Sequence, residues 1–405
     1  MLFITNKTKF KPNKCYYGYR RYLLSLSLSL ILLAIHSYWQ TSPSLAAEKI
    51  GFKLGIFEPS LPITEIRNYA ETGKIGDRLK TWLKFISQEN QQIIKQILHI
   101  QLPLDNLALE ELFKTEIGQN FLLNIAQAIA LPQNLSLAAL HSAIIQGNQS
   151  SEGLSILSFL EAYPQTNINI KLIKAVNVVK TVSLPEKNLT IAQNSQLKDN
   201  LISTKFWQLA VKYQVIATKN KQYNSCLFGD SISSALGNSL GEQNFNFAIS
   251  GMSTVSLIEQ LKLLIPTGVK CDKAIIAIGT NDALYDISNE MFIKNLQKTI
   301  ALTRKLNPKE IILIPAFYST IAATYQPNMA GSISRVDEIN YLIYQVAEGE
   351  NLPVEAEAIQ PLFAHKELKH NLTIDGVHLN DKGLEIYRKA LLKIINYQTS
   401  RSRNI

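Results

Sequence analysis

The stretch Asn224-Ser225-Cys226-Leu227-Phe228-Gly229-Asp230-Ser231-Ile232 opens the segment 224–251, around which we expect the fold to be built. Its apolar run predicts a buried strand, and the Gly-Asp-Ser that follows predicts a turn into a helix. Ser231 would then lie at a helix start, beside free backbone N–H groups and the positive end of the helix dipole. Because both favour negative charge near the serine oxygen, the position suits a nucleophile.

Two later blocks supply hydrogen-bond donors, which an oxyanion needs. The apolar run 245–249 is followed by Ser-Gly-Met-Ser, in which Gly251 can bring a bare backbone N–H close to a substrate. The apolar run 274–278 is followed by Gly-Thr-Asn-Asp, in which the side-chain amide of Asn281 can donate. Together with the N–H of Ser231, these groups form a candidate oxyanion hole.

A candidate base lies near the C-terminus, in Asp-Gly-Val-His. A serine hydroxyl is a weak nucleophile until a base takes its proton. Asp375, three residues before His378, can hold one ring nitrogen of the imidazole while the other nitrogen faces Ser231. The three residues therefore form a candidate catalytic triad.

These four blocks, in this order, resemble the SGNH, or GDSL, family of serine esterases and lipases over roughly residues 222–398. The resemblance implies a flavodoxin-like three-layer α/β/α domain. It also implies four signature positions and a third triad member: Ser231, Gly251, Asn281, His378 and Asp375.

Residues 223–398 alternate apolar runs with helical patterns, which predicts a parallel sheet covered on both faces, with the site at the strand C-terminal ends. Five strands are expected, near 224–228, 245–249, 273–278, 311–315 and 354–358. A helix over 290–306 would have Asn289 as its cap. The chain has no Gly-x-Ser-x-Gly elbow and no Gly-rich phosphate loop, which argues against the common α/β-hydrolase and nucleotide-binding classes.

Residues 1–47 are predicted to be an export signal. They carry six basic residues, no acidic residue, the 13-residue apolar run 23–35 and a small-residue end. An uncleaved membrane anchor is the alternative, although the run is short against the ~20 residues of a spanning helix. Cleavage would leave 35 Lys plus Arg against 32 Asp plus Glu, a net charge of +3 in place of +9. We therefore expect an exported protein, periplasmic or extracellular, with no nucleic-acid partner, since no clustered basic stripe is present.

Residues 48–180 are expected to form a separate, mostly helical domain, joined to the hydrolase by the linker 181–222, with some helix near 206–215. The domain resembles a cyanobacterial domain of unknown function found ahead of exported α/β-hydrolases. The resemblance rests on Glu48-Lys49-Ile50, Phe57-Glu58, Leu61-Pro62, Tyr69 to Gly73, Leu102 to Asp105 and Glu152-Gly153-Leu154. It brings no catalytic residue, so we expect the domain to shape access or to dock the enzyme on a large substrate.

The loop after the fourth strand, 317–331, is longer than most connections and contains Tyr318, Tyr325 and Pro327. We expect it to form the substrate rim. A chain that starts near Thr204 is expected to keep activity on a small soluble ester and to lose it on the natural large substrate.

The two cysteines that remain after export are expected to be free, buried thiols. If Ser231 and Asn281 lie side by side, Cys226 and Cys271 are offset by about 16 Å at ~3.3 Å per residue. That exceeds the ~7 Å Cα separation that a disulfide tolerates. Because an exported protein meets an oxidising compartment, a disulfide is the alternative.

No metal and no cofactor are expected. His99 and His141 lie among Ile and Leu in helical patterns and are expected to be core or boundary residues. The spacing of His365, His370 and His378 matches neither a metal-binding helix nor a zinc knuckle.

The function that these residues indicate is hydrolysis of a carboxylic ester through an acyl-enzyme, with a small acyl group carried by a saccharide, a cell-wall polymer or a lipid. One alternative is an O-acyltransferase that uses the same triad. The other is a non-catalytic glycan- or wall-binding protein on an esterase scaffold. Asp230 and Asp282 are expected to accept hydrogen bonds from loop N–H groups rather than to act in catalysis. Association with the cell wall or a membrane surface and the oligomeric state are left open.

Overall fold

The computed structural model describes residues 47–52, 60–84, 98, 102, 104–129, 137–151, 153–170, 199–326, 328–357 and 359–396. The predicted export signal lies outside these residues, apart from Ala47. Within these ranges, no helix combines the length and the apolar content that crossing a membrane requires.

The N-terminal region contains a small sheet that the sequence analysis did not predict. Its elements are β1 (Lys49–Phe52), β2 (Ser60–Pro62), α1 (Ile63–Thr72), α2 (Asp77–Leu83), α3 (Asn106–Lys114), α4 (Glu116–Ala128), α5 (Leu137–Asn148), α6 (Ile156–Ala162) and β3 (Asn167–Ile170). The central strand β1 pairs antiparallel with β2 and parallel with β3. The helices enclose a core that includes the fully buried Leu140, Ala143 and Tyr163. This region is therefore helical, as predicted, with a three-stranded sheet added.

The C-terminal region is an α/β fold. Its elements are α7 (Lys205–Ala217), β4 (Gln222–Gly229), α8 (Ser231–Ser234), β5 (Asn244–Asn246), α9 (Thr254–Leu264), β6 (Lys270–Ala277), α10 (Thr280–Leu284), α11 (Asn289–Thr303), β7 (Glu310–Ile314), α12 (Ile321–Thr324), α13 (Ile333–Glu350), β8 (Phe363–Ala364), β9 (Glu367–Leu368) and α14 (Asp381–Asn396). Strands β5, β4, β6 and β7 form a parallel sheet in that order. Apolar side chains of α7, α9, α11 and α13 pack on one face, and those of α8 and α14 on the other.

The fifth predicted strand is reduced to a single parallel bridge between Leu313 and Val354. Leu313 donates to the Pro353 carbonyl at 3.0 Å and accepts from Glu355 at 2.9 Å. Proline has no N–H to extend the ladder. The sheet of the described chain therefore has four strands, and the expected fifth contributes one bridging residue.

The N-cap of helix α11 is Ser288, whose hydroxyl accepts from the Met291 N–H. The prediction of Asn289 as the cap is wrong by one position, since Asn289 is the first helical residue. Phe292, Leu296 and Ile300, four residues apart on one face of this helix, are buried.

Helix α7, where some helix was predicted, has two buried faces. Trp207 and Val211 pack into the core of the α/β sheet. Leu209, Tyr213 and Ile216 pack against the core of the N-terminal region. The Tyr213 hydroxyl also accepts from the Asp105 N–H at 2.9 Å. This helix thus connects the two cores.

The prediction of two free thiols is wrong, because Cys226 and Cys271 form a disulfide with their Cα atoms 5.8 Å apart. The register pairs Cys226 with Ala274, so the offset between the cysteines is three residues rather than five. In addition, Tyr223 and Cys226 pack in the same core, as do Cys271 and Ala274. Strict alternation would put residues three apart on opposite faces. Both strands therefore depart from regular geometry here, and the regular-strand distance does not apply.

Candidate active site

Ser231 begins helix α8 directly after the turn that ends strand β4. Gly229 is required at the end of the strand, because a Cβ there would lie 2.6 Å from the Ser233 hydroxyl and 3.0 Å from the Ala277 carbonyl. Asp230 is the N-cap, and its carboxylate accepts from the Ile232 N–H at 3.0 Å. The N–H of Ser231 has no acceptor among the described residues, so it can donate to a ligand.

The structure brings the three candidate triad residues together. The Nε2 atom of His378 lies 3.0 Å from the Oγ atom of Ser231. The Nδ1 atom of His378 lies 2.7 Å from the Oδ2 atom of Asp375. The His378 side chain is 45% exposed and that of Asp375 is 30% exposed, so solvent and substrate can reach the imidazole.

The loop that carries Asp375 and His378 is fixed by its own hydrogen bonds. The Oδ1 atom of Asp375 accepts from the N–H groups of Val377 at 2.9 Å and His378 at 2.8 Å. Gly376 has a φ of 90°, which favours glycine, and its carbonyl accepts from the Thr320 N–H at 2.7 Å. The carboxylate therefore both orients the ring and shapes the turn that presents it.

The charges of the pair shift both pKa values. Burial works against ionised Asp375, but the hydrogen bond and charge of His378, with the two backbone N–H groups, lower the pKa of Asp375 to about 2. Burial also works against protonated His378, but the hydrogen bond and charge of Asp375, with the charge of Asp230, raise its pKa above the usual 6.5. An ionised Asp375 thus stabilises the imidazolium that proton transfer from Ser231 would create.

Of the two donors predicted downstream, Gly251 lies on a loop and Asn281 lies in the first turn of helix α10. Gly251 has a φ of 81°, and its N–H has no acceptor within the described ranges. The Nδ2 atom of Asn281 donates one hydrogen to the Met252 carbonyl at 3.0 Å, which leaves its second hydrogen for another acceptor. The Tyr285 hydroxyl donates to the Gly251 carbonyl at 3.1 Å. The loop 250–254 is thus held at two successive carbonyls, those of Gly251 and Met252.

Asp230 and Asp282 accept hydrogen bonds from backbone N–H groups, as predicted. Burial raises the pKa of Asp230 to about 6 and that of Asp282 to about 7. Asp282 is fully buried and accepts from both the N–H and the hydroxyl of Thr254, at the start of α9. Its carboxylate thus fastens the loop 250–254 to the segment that carries Asn281.

Two contacts at this site were missed by sequence reasoning. Tyr285 lies four residues after Asn281, a spacing that places both on one helix face, so it could have been found. Asp199 accepts from the Ser253 hydroxyl at 2.5 Å, and no motif singled it out.

The predicted rim loop 317–331 contains the short helix α12 and the 80% exposed Tyr325. The Tyr318 hydroxyl is bonded to Asp337 at 2.6 Å, and Pro327 lies outside the described residues. A surface depression of about 380 Å³ adjoins the end of this loop. Its lining includes Ala283, Asp286, Gly331, Ser332, Arg335 and Glu338.

Two histidines of the N-terminal region were expected to be core or boundary residues. His141 packs edge-on against Phe113, with ring centroids 5.1 Å apart, and His99 lies outside the described residues. In the part of the chain that the structure describes, no group of three or more His, Cys, Asp or Glu side chains could hold a metal ion.

Comparisons with known proteins agree with the order of the two regions. Residues 225–386 match the model of the GDSL-like Lipase/Acylhydrolase family, and residues 46–171 match the model described as an alpha/beta hydrolase of unknown function, DUF1400. A search of curated proteins found no match.

Several solved structures are similar to part of this chain. A GDSL-like lipase from Bacteroides thetaiotaomicron is 17% identical, covers 44% of this chain and 88% of its own, and has a TM-score of 0.37. A lipase/acylhydrolase from Enterococcus faecalis is 22% identical, covers 43% and 95%, and has a TM-score of 0.33. The acetylxylan esterase Axe2 from Geobacillus stearothermophilus is 23% identical, covers 46% and 100%, and has a TM-score of 0.35.

The family matches confirm both resemblances seen in the sequence. The chain carries a GDSL-like lipase/acylhydrolase domain at residues 225–386, preceded at residues 46–171 by a DUF1400 region.

Proposed function

We propose that this protein is a serine hydrolase that cleaves carboxylic esters through an acyl-enzyme. The observation that carries the proposal is the continuous hydrogen-bonded series from Asp375 through His378 to the hydroxyl of Ser231, with spacings of 2.7 Å and 3.0 Å. Such a series activates a serine, because the imidazole can take the hydroxyl proton while the carboxylate holds its tautomer.

In the first half of the reaction, the Oγ atom of Ser231 attacks the ester carbonyl carbon and its proton passes to Nε2 of His378. The carbonyl oxygen becomes an oxyanion, which the N–H groups of Ser231 and Gly251 and the amide of Asn281 stabilise. The imidazolium then gives its proton to the alkoxy oxygen, the C–O bond breaks, and the alcohol leaves. The acyl group remains on Ser231.

In the second half, His378 takes a proton from water and the hydroxide oxygen attacks the acyl carbonyl. The same donors meet the second oxyanion. Collapse of this intermediate breaks the bond to Ser231, whose oxygen regains the proton from His378. The carboxylic acid leaves, and every proton taken by the imidazole has been returned.

We infer a small acyl group on a saccharide, a cell-wall polymer or a lipid as the substrate. Export through residues 1–47 belongs to the same proposal. So does a flavodoxin-like arrangement, in which the bridge at Val354 marks the fifth strand.

The decisive test is turnover of p-nitrophenyl acetate by Ser231→Ala, with Ser239→Ala, at an exposed serine shortly after the same helix, as the control. We expect loss of turnover in the first variant and retention in the second. A fluorophosphonate probe should label the wild type and Ser239→Ala but not Ser231→Ala. Unchanged turnover in pure Ser231→Ala protein would refute the proposal. Product analysis with a saccharide acceptor separates hydrolysis, which releases acid, from acyl transfer, which conserves the ester.

A further inference from the structure

The loop 250–254, which presents the N–H of Gly251, is held by side chains from two parts of the chain. Asn281, Asp282 and Tyr285 belong to the region that matches the lipase/acylhydrolase family. Another side chain bonded to this loop, that of Asp199, precedes that region and follows the DUF1400 match. A group from outside both matched regions therefore contacts the loop that presents the Gly251 N–H.

The carboxylate of Asp199 bridges its own segment and this loop. Its Oδ2 atom accepts from the Ser253 hydroxyl at 2.5 Å, and its Oδ1 atom accepts from the Leu201 N–H at 2.9 Å. Ser253 is fully buried, and its Oγ atom accepts from the Val255 N–H at 3.1 Å. Asp199 is thus bonded to the cap of a helix that begins three residues after Gly251.

Leu201 supplies an apolar contact on the same loop. Its side chain is buried, and its Cδ1 atom lies 3.8 Å from the place where a Cβ of Gly251 would be. Glycine populates positive and negative φ about equally, so the residue type alone does not hold the φ of 81° at Gly251. Packing of Leu201 limits the room in which this residue could rearrange.

Capping of helix α9 does not require Asp199. The Ser253 hydroxyl accepts from the helix and the Ser253 N–H donates to the Ser256 hydroxyl at 3.0 Å, which completes a capping box. The bond to Asp199 is additional, and it is directed away from the helix towards residues 199–201. Its effect is to fix the position of the loop relative to that segment.

We propose that Asp199 and Leu201 are positioning residues for the oxyanion hole, which hold the loop 250–254 so that the Gly251 N–H keeps its place beside Ser231. The proposal rests on the proposed ester hydrolysis. It assigns to residues outside the matched hydrolase region a part in the rate of the chemical step.

The test uses full-length Asp199→Ala, Leu201→Ala and Asp199→Asn, with active sites counted by fluorophosphonate labelling. Asp272→Ala is the matched control, because this carboxylate pairs with Lys309 at 3.1 Å near the start of β6, at the other end of the sheet. Displacement of one donor should lower kcat on p-nitrophenyl acetate about tenfold and change KM less than about twofold. Inhibition by a trifluoromethyl ketone, whose adduct with Ser231 places an oxyanion in the hole, should weaken by a similar factor. Asp199→Asn keeps an acceptor oxygen and should recover part of the rate.

A double variant adds an independent measurement. Ser253→Ala removes the bond to Asp199 and also the cap of helix α9, so adding Asp199→Ala to Ser253→Ala should slow the enzyme little further. A kcat per labelled site within about twofold of wild type in both Asp199→Ala and Leu201→Ala would overturn the proposal, even if the variants unfold at lower temperature. Absence of Ser231-dependent turnover in the wild type would instead overturn the proposed function itself, and this inference with it.

Discussion

Replacing Asn281 with alanine should reduce kcat far more than it changes KM. In the structure, one hydrogen of the Asn281 Nδ2 atom is donated to the Met252 carbonyl at 3.0 Å. The second hydrogen remains to meet an oxyanion. Loss of one such donor typically lowers kcat by about 10² to 10³, or ~2.7 to 4 kcal/mol of transition-state stabilisation. The donor acts mainly in the transition state, so binding of the ground-state ester should change little.

The same substitution also removes the bond to Met252, and this second effect must be separated from the first. Tyr285→Phe is the matched control, because it removes a tie to the neighbouring carbonyl of Gly251 and leaves the Asn281 donor in place. Each lost hydrogen bond should lower the free energy of unfolding by about 1 kcal/mol. We therefore expect similar stabilities for the two variants, with a kcat at least about tenfold lower for Asn281→Ala.

The measurements are steady-state kinetics on p-nitrophenyl acetate, with labelled active sites counted, and urea unfolding of both variants. An effect of Asn281→Ala confined to KM would show that the amide binds only ground-state substrate. Equal kcat values for Asn281→Ala and Tyr285→Phe would show that Asn281 acts by holding the loop and not as a donor. Either result would refute the oxyanion role.

Three further predictions follow from the site and the fold. First, kcat/KM should rise with pH as His378 loses its proton, with a midpoint above pH 6.5. Asp375→Asn removes the hydrogen bond and the charge that raise the pKa of His378, so this midpoint should move to lower pH. The plateau of the pH–rate profile should also fall, by up to about 10⁴. Second, because the disulfide joins residues 45 apart, replacing Cys226 and Cys271 together with alanine should lower the free energy of unfolding by about 4 kcal/mol in urea titrations; no change would mean that the bridge is absent in solution. Third, a folded chain that starts at Thr204 lacks both proposed positioning residues and should turn over p-nitrophenyl acetate about tenfold more slowly than the full chain, whereas equal rates would support the expectation from sequence.

The position of the candidate site could be predicted because it depends on where the strands end and not on their register. Three apolar runs each end in a polar block, and the carboxyl ends of parallel strands meet at one edge of a sheet. The sequence therefore indicated that Ser231, Gly251 and Asn281 would converge without any knowledge of strand register. His378 and Asp375 could be paired with them because their spacing is local and their chemistry is complementary.

The disulfide could not be predicted, because it depends on register and on local irregularity. Ser231 and Asn281 were assumed to lie side by side, whereas Gly229 pairs with Ala277, which makes Ser231 equivalent to residue 279. The assumption added two residues to the offset between the cysteines. The departure from alternation before Cys226 is a second feature that a regular-strand estimate does not contain.

Composition alone also gave an incomplete description of the segment between the two matched regions. Residues 181–222 are rich in Asn, Gln, Lys and Thr, which predicted a linker. Within it, helix α7 is apolar on two faces, with Trp207 and Val211 on one and Leu209 and Tyr213 on the other. A helix that is apolar on two sides requires two partners. The average polarity of residues 181–222 does not indicate this arrangement, whereas the spacing of the apolar residues along the helix does. We infer that the functional hydrolase begins before residue 225, at the segment whose carboxylate reaches the loop of the candidate oxyanion hole.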